Sequence, residues 1–273
     1  MPPAPVDLKF QQSGSGNPVV ILHGLFGSAR NWQSVARTLA DKFTVITVDL
    51  RNHGASPHHS QMDYPALAED VGALLAKLAL HDVTLIGHSM GGKTAMTLAL
   101  SKPERIGQLV IVDIGPGSYS NDYDEMLSAM VGLDLGSVRH RADADEMLKS
   151  AVPETDIRLF ILQNLLFSRD PPPHWRINLD AIRDGISNLV GAIACQSAAR
   201  FDGPTAFVRG AQSDRVGERD LALIAAHFPN FRMITISNAG HWPHVENPPE
   251  FLAQLRSILS PREGGSAHEN ERP

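Results

Sequence analysis

Residues 87–94 read GHSMGGKT, and two motifs overlap in those eight letters. Gly87-His88-Ser89-Met90-Gly91 is G-x-S-x-G, a strand–turn–helix signature that exposes a nucleophilic serine. Gly87 to Thr94 also fits G-x-x-x-x-G-K-T, the Gly-rich loop that cradles nucleotide phosphates. Each motif needs a strand before it and a helix after it. DVTLIG (82–87) reads as an apolar strand, and Met90 to Leu100 favours a helix stopped by SKPERI. Local structure does not separate the two, so the decision lies elsewhere in the chain.

Outward from the motif, apolar strands alternate with helical segments. VVIL (19–22), FTVITVD (43–49), GQLVIVDI (107–114), PTAFVRG (204–210) and FRMITIS (231–237) read as strands. NWQSVARTLAD (31–41), YPALAEDVGALLAKLAL (64–80), ERDLALIAAHF (218–228) and PPEFLAQLRSIL (248–259) have helical spacing. Strands that are apolar throughout, alternating with helices, predict an α/β fold with a mainly parallel sheet covered on both faces. DLKFQQSGSGNP (7–18) offers an edge strand.

Residues 118–200 break this rhythm. Four stretches there read as helices and none as a strand. The expected division is an α/β core of residues 1–117 and 201–260 and an all-helical cap, residues 118–200, leaving from a strand's carboxyl end, where such sheets bind ligands. The polar tail, residues 261–273, is expected to be disordered.

The chain has 273 residues, 42% hydrophobic and 20% charged, with a formal net charge of −6. This is a soluble globular composition, and the negative balance argues against nucleic acid as a partner. No run approaches the roughly 20 apolar residues of a membrane helix, and MPPAPVDLKF lacks the pattern of a signal peptide. A cytoplasmic location is the expectation. The single cysteine, Cys195, reads as a small buried apolar residue.

The serine reading makes demands on distant sequence, and they are met. A serine hydroxyl needs a base, a carboxylate behind that base, and donors for an oxyanion. Near the carboxyl end stands ISNAGHWPHVENPPEF (236–251), with His241 between the last strand and the last helix. Near the start stands the Gly-rich LHGLFGS (22–28), directly after a strand. Both stretches are unexplained if GHSMGGKT holds phosphate. That rival keeps one support, the strand LVIVD (109–113), ending in an aspartate suited to magnesium. Gly87, Gly91 and Gly92 fit a turn packed against strand and helix, and Lys93 and Thr94 are then ordinary residues of a helix's first turns.

HGLFGS, VDLRNHGASP, GHSMGGKTAM, VDIGP and NAGHWPH together resemble the α/β-hydrolase superfamily, and more narrowly the YbfF-type esterases and related abhydrolase-domain proteins. The likeness runs from about Val19 to Leu259. It implies an eight-stranded, mostly parallel sheet with a helical cap. It implies Ser89 as nucleophile, His241 as base, and the N–H groups of Leu25 and Met90 as the oxyanion hole, with no metal and no cofactor. Two aspartates compete for the acid. RGAQSDRV (209–216) displaces Asp214 by one position from the common G-x-x-D pattern, whereas Asp113 in IVDIGP matches the YbfF-type position. Asp113 is therefore favoured and Asp214 is the alternative, otherwise a cap for the helix near Glu218.

His23, Asp49, Arg51 and His53 read as supports for loops beside the site. His88, Phe26 and Trp242 are candidate pocket residues. The expected reaction is hydrolysis of short- to medium-chain carboxylic esters, with water as the second substrate. Other chemistry of the same triad (thioester, lactone or carbon–carbon cleavage, or acyl transfer) is the first alternative. A non-catalytic small-molecule receptor is the second and a nucleotide-binding protein the third. Oligomeric state is not legible.

Overall fold

In a computed structural model of the chain, residues 4–169, 172–195 and 198–260 are described. The tail of residues 261–273 lies outside the described residues. Strand β2 (Asn17–Leu22) shows how the sheet is built. Val19 and Ile21 point to one face, Val20 and Leu22 to the other, and all four are buried. A strand buried on both faces needs helices on both sides, and the chain supplies them.

In chain order the core runs β1 (Lys9–Ser13), β2, a 3-10 turn (Ala29–Trp32), α1 (Gln33–Leu39), β3 (Phe43–Asp49), α2 (Tyr64–Lys77), β4 (Val83–His88), α3 (Met90–Ser101) and β5 (Ile106–Val112). After an insertion it resumes with β8 (Thr205–Gly210), α8 (Glu218–His227), β9 (Phe231–Ile236), α9 (Pro243–Glu246) and α10 (Pro248–Leu259). The sheet order is β1-β3-β2-β4-β5-β8-β9, parallel except for β1, which pairs antiparallel with β3. One face packs Trp32, Val35, Leu39, Phe251 and Leu255, and the other packs α2, α3 and the insertion.

Among the described residues the sheet has seven strands, one fewer than the resemblance implied. The segment ahead of β1 is tied to a helix instead of to the sheet. The Val6 N–H donates to Asp70 Oδ1 of α2 at 2.8 Å, and Leu8 is buried. Asp70 in turn forms a buried two-pronged ion pair with Arg51, at 2.6 and 2.8 Å. The order reverses between β2 and β4: β3 lies beyond β2, while β5 lies beyond β4. Crevices at such reversals open at the strands' carboxyl ends, so the loops after β2 and β4 face one space.

The insertion holds α4 (Asp124–Val131), α5 (Arg141–Leu148), α6 (Thr155–Leu162) and α7 (Leu179–Val190). It also contains a two-stranded antiparallel ribbon of β6 (Leu165–Leu166) and β7 (His174–Trp175), so the all-helical expectation was incomplete. Two-residue strands carry no periodicity that a sequence reading can detect. Met126, Met130, Leu148, Ile161, Leu165 and Ile182 are buried in one cluster with residues of the sheet. No helix among the described residues is long and apolar enough to cross a membrane.

The two ends of the insertion meet at Lys93, which is fully buried rather than an ordinary helix residue. Its Nζ donates to the Gly117 carbonyl at 2.6 Å and the Gly191 carbonyl at 2.5 Å, and it lies 4.7 Å from the centre of the Tyr119 ring. Burial lowers its pKa from 10.5 to about 8, so it still carries charge at neutral pH. An ammonium engaged in this way is not a phosphate ligand. Lys93→Met is expected to leave two partly buried carbonyls without this donor. We expect a loss of about 2–3 kcal/mol, or roughly 5–10 °C in melting temperature for a domain of this size. Thermal melts check this. Magnesium-dependent ATP binding, expected in neither protein, would restore the phosphate-loop reading.

Candidate functional site

Ser89 links β4 to α3 with φ 50° and ψ −117°, a conformation that L residues adopt only under strain. The turn is tight enough to forbid side chains on both sides. A Cβ at Gly87 would lie 2.2 Å from the Gly91 carbonyl oxygen, and one at Gly91 would lie 2.6 Å from the backbone oxygens of Leu22 and His23. The glycines of the motif are therefore steric requirements of the turn. Ser89 is buried to 5% exposure but faces a cavity.

His241 arrives on the loop between β9 and α9. Its Nε2 lies 3.1 Å from Ser89 Oγ, and its Nδ1 lies 2.8 Å from Asp113 Oδ2. Asp113 follows β5 with φ 51° and is fully buried. Its Oδ1 accepts the Gly210 N–H at 3.0 Å, and its Oδ2 also accepts the Ser213 hydroxyl. These donors satisfy the oxygens of a carboxylate shut away from water. Ser213, at the third position after Gly210 where the common pattern places the acid, thus hydrogen-bonds the aspartate that His241 contacts. Asp214 stands apart, its side chain 94% exposed beside Arg215. Nor does it cap α8, whose N-cap is Gly217, with the Gly217 N–H held by Asp220 Oδ2 at 3.0 Å. A hydroxyl, an imidazole and a buried carboxylate in series are the arrangement that a base-activated nucleophile needs.

The loop after β2 turns beside Ser89. A Cβ on Gly24 would come within 3.3 Å of Ser89 Cβ and 2.7 Å of His88 Nδ1. The Gly27 N–H closes the turn onto the Gly24 carbonyl at 3.0 Å, which makes Leu25 and Phe26 its central residues. Phe26 has φ 61°, as the third position of a type II turn requires, although that position favours glycine. His23 donates from Nδ1 to the Gly24 carbonyl at 2.8 Å and accepts the Leu50 N–H at Nε2 at 3.0 Å. His53 donates from Nδ1 to the Arg51 carbonyl at 2.9 Å and accepts the Phe26 N–H at Nε2 at 3.2 Å. Asp49 accepts the N–H groups of Ala29 and Ala55 at 2.7 and 2.9 Å. These residues therefore support the loop. The N–H groups of Leu25 and Met90 find no protein acceptor among the described residues.

His88 holds the backbone at His241, its Nε2–H donating to the His241 carbonyl at 2.8 Å. His244 stacks on Trp32 with ring centres 4.2 Å apart. Burial pushes the pKa of His88 well below the ordinary 6.5, and those of His23, His53 and His244 down to about 4, about 3 and about 3. Four neutral imidazoles have a consequence for stability. Unfolded, they take up protons as pH falls through about 6.5; folded, they do not until far lower pH. The unfolded state then binds more protons, so stability is full above pH 7 and declines steadily below about 6.5. Each histidine contributes up to about 1.4 kcal/mol per pH unit. Urea midpoints between pH 7.5 and 5 check this, and a midpoint constant to pH 5 would contradict it.

The cavity over Ser89 has a volume of about 910 Å³ and includes Leu25, Phe26, Tyr123, Val152, Phe160 and Trp242 in its lining. The three pocket candidates, Phe26, His88 and Trp242, all face it. Phe160 and Ile161 of α6 supply part of the wall opposite the sheet. Asn164, missed in the sequence, follows α6 and is buried. It lies in the apolar run FILQNLLF; its Nδ2 donates to the Ile161 carbonyl at 3.3 Å and to the Phe26 carbonyl, 138 residues away, and nothing local marks the second bond. Cys195 also differs from expectation. It is only partly buried, with Sγ 3.5 Å from His227 Nε2.

Comparison with known proteins agrees with this architecture. The alpha/beta hydrolase fold family model matches residues 17–248. The chain is 39% identical over 265 residues to the sn-1-specific diacylglycerol lipase ABHD11 of Xenopus tropicalis, covering 93% of this chain and 82% of that protein. It is 34% identical to the esterase YbfF of Escherichia coli strain K12, covering 92% and 96%. Among solved structures, a marine microorganism esterase superposes with a TM-score of 0.89 at 35% identity, covering 93% of this chain and all of that one. With the family model spanning most of its length and these relatives above 30% identity, the chain belongs to the alpha/beta hydrolase fold family.

Proposed function

We propose that the protein is a serine carboxylesterase that hydrolyses short- to medium-chain carboxylic esters through an acyl-enzyme. The observation that carries this reading is the series Ser89 Oγ, His241 Nε2, His241 Nδ1 and Asp113 Oδ2, opening into a cavity that Leu25, Phe26, Val152 and Phe160 help to line. The names of the relatives, esterase and lipase, support the same class.

In the proposed reaction Ser89 Oγ attacks the acyl carbonyl carbon while His241 Nε2 takes its proton. Asp113 keeps the other His241 proton on Nδ1 and balances the imidazolium that forms. The carbonyl oxygen becomes an oxyanion and accepts the N–H groups of Leu25 and Met90. Collapse breaks the ester C–O bond, and His241 returns its proton to the leaving alcohol. Water then attacks the acyl carbon of Ser89, deprotonated by the same imidazole, and releases the acid. Residues 118–200 act as a cap over this cavity, on a core of residues 1–117 and 201–260.

Hydrolysis of p-nitrophenyl acetate, butyrate and octanoate tests the reading. Turnover of at least one ester without added metal is the expected result, and the three rates report the depth of the acyl site. A folded protein that turns over none of them, yet binds a small ester tightly, would favour a receptor instead.

A further inference from the structure

The turn that presents the Leu25 N–H is held from two sides by residues far apart in sequence. Phe26 occupies a backbone conformation that costs an L residue about 1 kcal/mol or more. Its N–H is fixed by His53, which belongs to the loop after β3. Its carbonyl is fixed by Asn164, which belongs to the insertion, through Nδ2–H at 2.8 Å. Asn164 is itself anchored. Its N–H donates to the Ile161 carbonyl at 3.0 Å, its carbonyl accepts the Arg176 N–H at 2.8 Å, and its Oδ1 accepts Arg176 Nη2 at 3.4 Å. Asn164 is 1% exposed, so the bond is shielded from bulk solvent on its side.

Because His53 occupies the Phe26 N–H, the Leu25 N–H is the donor of this pair that stays open. Its direction depends on the turn. Without a donor on the Phe26 carbonyl, the strain at Phe26 favours rotation of the peptides on either side of it.

We propose that Asn164 is a positioning residue of the oxyanion hole: the inserted segment locks the Gly24–Gly27 turn in its reactive geometry through the Asn164 carboxamide and the Phe26 carbonyl. The insertion is then part of the catalytic apparatus as well as a roof. This rests on the esterase reading above.

Asn164→Asp is the sharpest test. It keeps the size and the Arg176 contact, but sets a carboxylate oxygen against a carbonyl oxygen. Asn164→Ala removes the donor without adding charge. Rates are measured per active site, counted by fluorophosphonate labelling, with p-nitrophenyl butyrate as substrate. Removal of one oxyanion donor costs about 10²–10³ in kcat. A displaced donor is expected to cost about 10- to 100-fold in Asn164→Asp and less in Asn164→Ala, with KM within about twofold of wild type. The inhibition constant of a trifluoromethyl ketone, whose adduct with Ser89 places an oxyanion in the hole, is expected to rise by the same factor as kcat/KM falls. A purely structural residue would lower the labelled fraction and the melting temperature and leave kcat per site and this constant unchanged. That result in both variants would overturn the proposal. Wild type without ester turnover would overturn the esterase reading itself, which separates the two failures.

Discussion

Ser89→Ala is expected to lose about four to six orders of magnitude in kcat on p-nitrophenyl butyrate, with KM little changed. The reason is chemical, not structural. The hydroxyl faces the cavity and contributes no packing that the turn depends on, since the strain at φ 50° is held by the backbone and by Gly87 and Gly91. Alanine tolerates the same conformation about as poorly as serine, so the fold should persist. The attack on the acyl carbon then has no covalent route. His241→Ala is expected to lose a comparable amount, because the imidazole both takes and returns the proton. The double variant is expected to fall little further than either single one, since the two act as a unit. Steady-state rates on purified, folded variants check this. A loss below about tenfold in Ser89→Ala would show that the reaction does not pass through this hydroxyl.

The second large effect separates the two aspartates. Asp113→Asn is expected to cost about 10²–10⁴ in kcat, and Asp214→Asn less than about twofold. Asp113 accepts three donors, from Gly210, Ser213 and His241. An asparagine there has one acceptor oxygen. If that oxygen keeps Gly210, its amide faces the Nδ1–H of His241, donor against donor. The imidazole then moves its proton to Nε2, and the nitrogen facing Ser89 is no longer a base. The change also leaves a buried polar group unsatisfied, so a moderate loss of melting temperature accompanies the loss of rate. Asp214, 94% exposed, has no such network. Equal losses in both variants would contradict the geometry, and a larger loss in Asp214→Asn would reverse the assignment.

The sequence carried much of this because its strongest signals have local steric causes. Gly87, Gly91 and Gly92 announce a turn that admits no side chains, and apolar runs such as VVIL mark strands buried on both faces. The loop supports, His23, Asp49 and His53, were legible because they flank Gly-rich loops at strand ends. What stayed hidden depends on contacts across the chain. Lys93 reads as an ordinary residue of a helix's first turns until Gly117 and Gly191 are brought to it. Asn164 carries no signal of its own in the sequence until Phe26 is placed beside it. The ribbon of β6 and β7 is too short to have a period. The eighth strand came from family resemblance alone, and the segment ahead of β1 binds Asp70 through Val6.

Covalent labelling of Ser89 tests the central claim most directly. The wild-type protein is treated with a fluorophosphonate, digested, and its modified peptides are located by mass spectrometry. The account predicts one adduct per chain on Ser89, loss of ester hydrolysis in proportion to labelling, and no adduct in Ser89→Ala. Persistent hydrolysis after complete treatment, or an adduct on another residue that tracks the loss of activity, would contradict it.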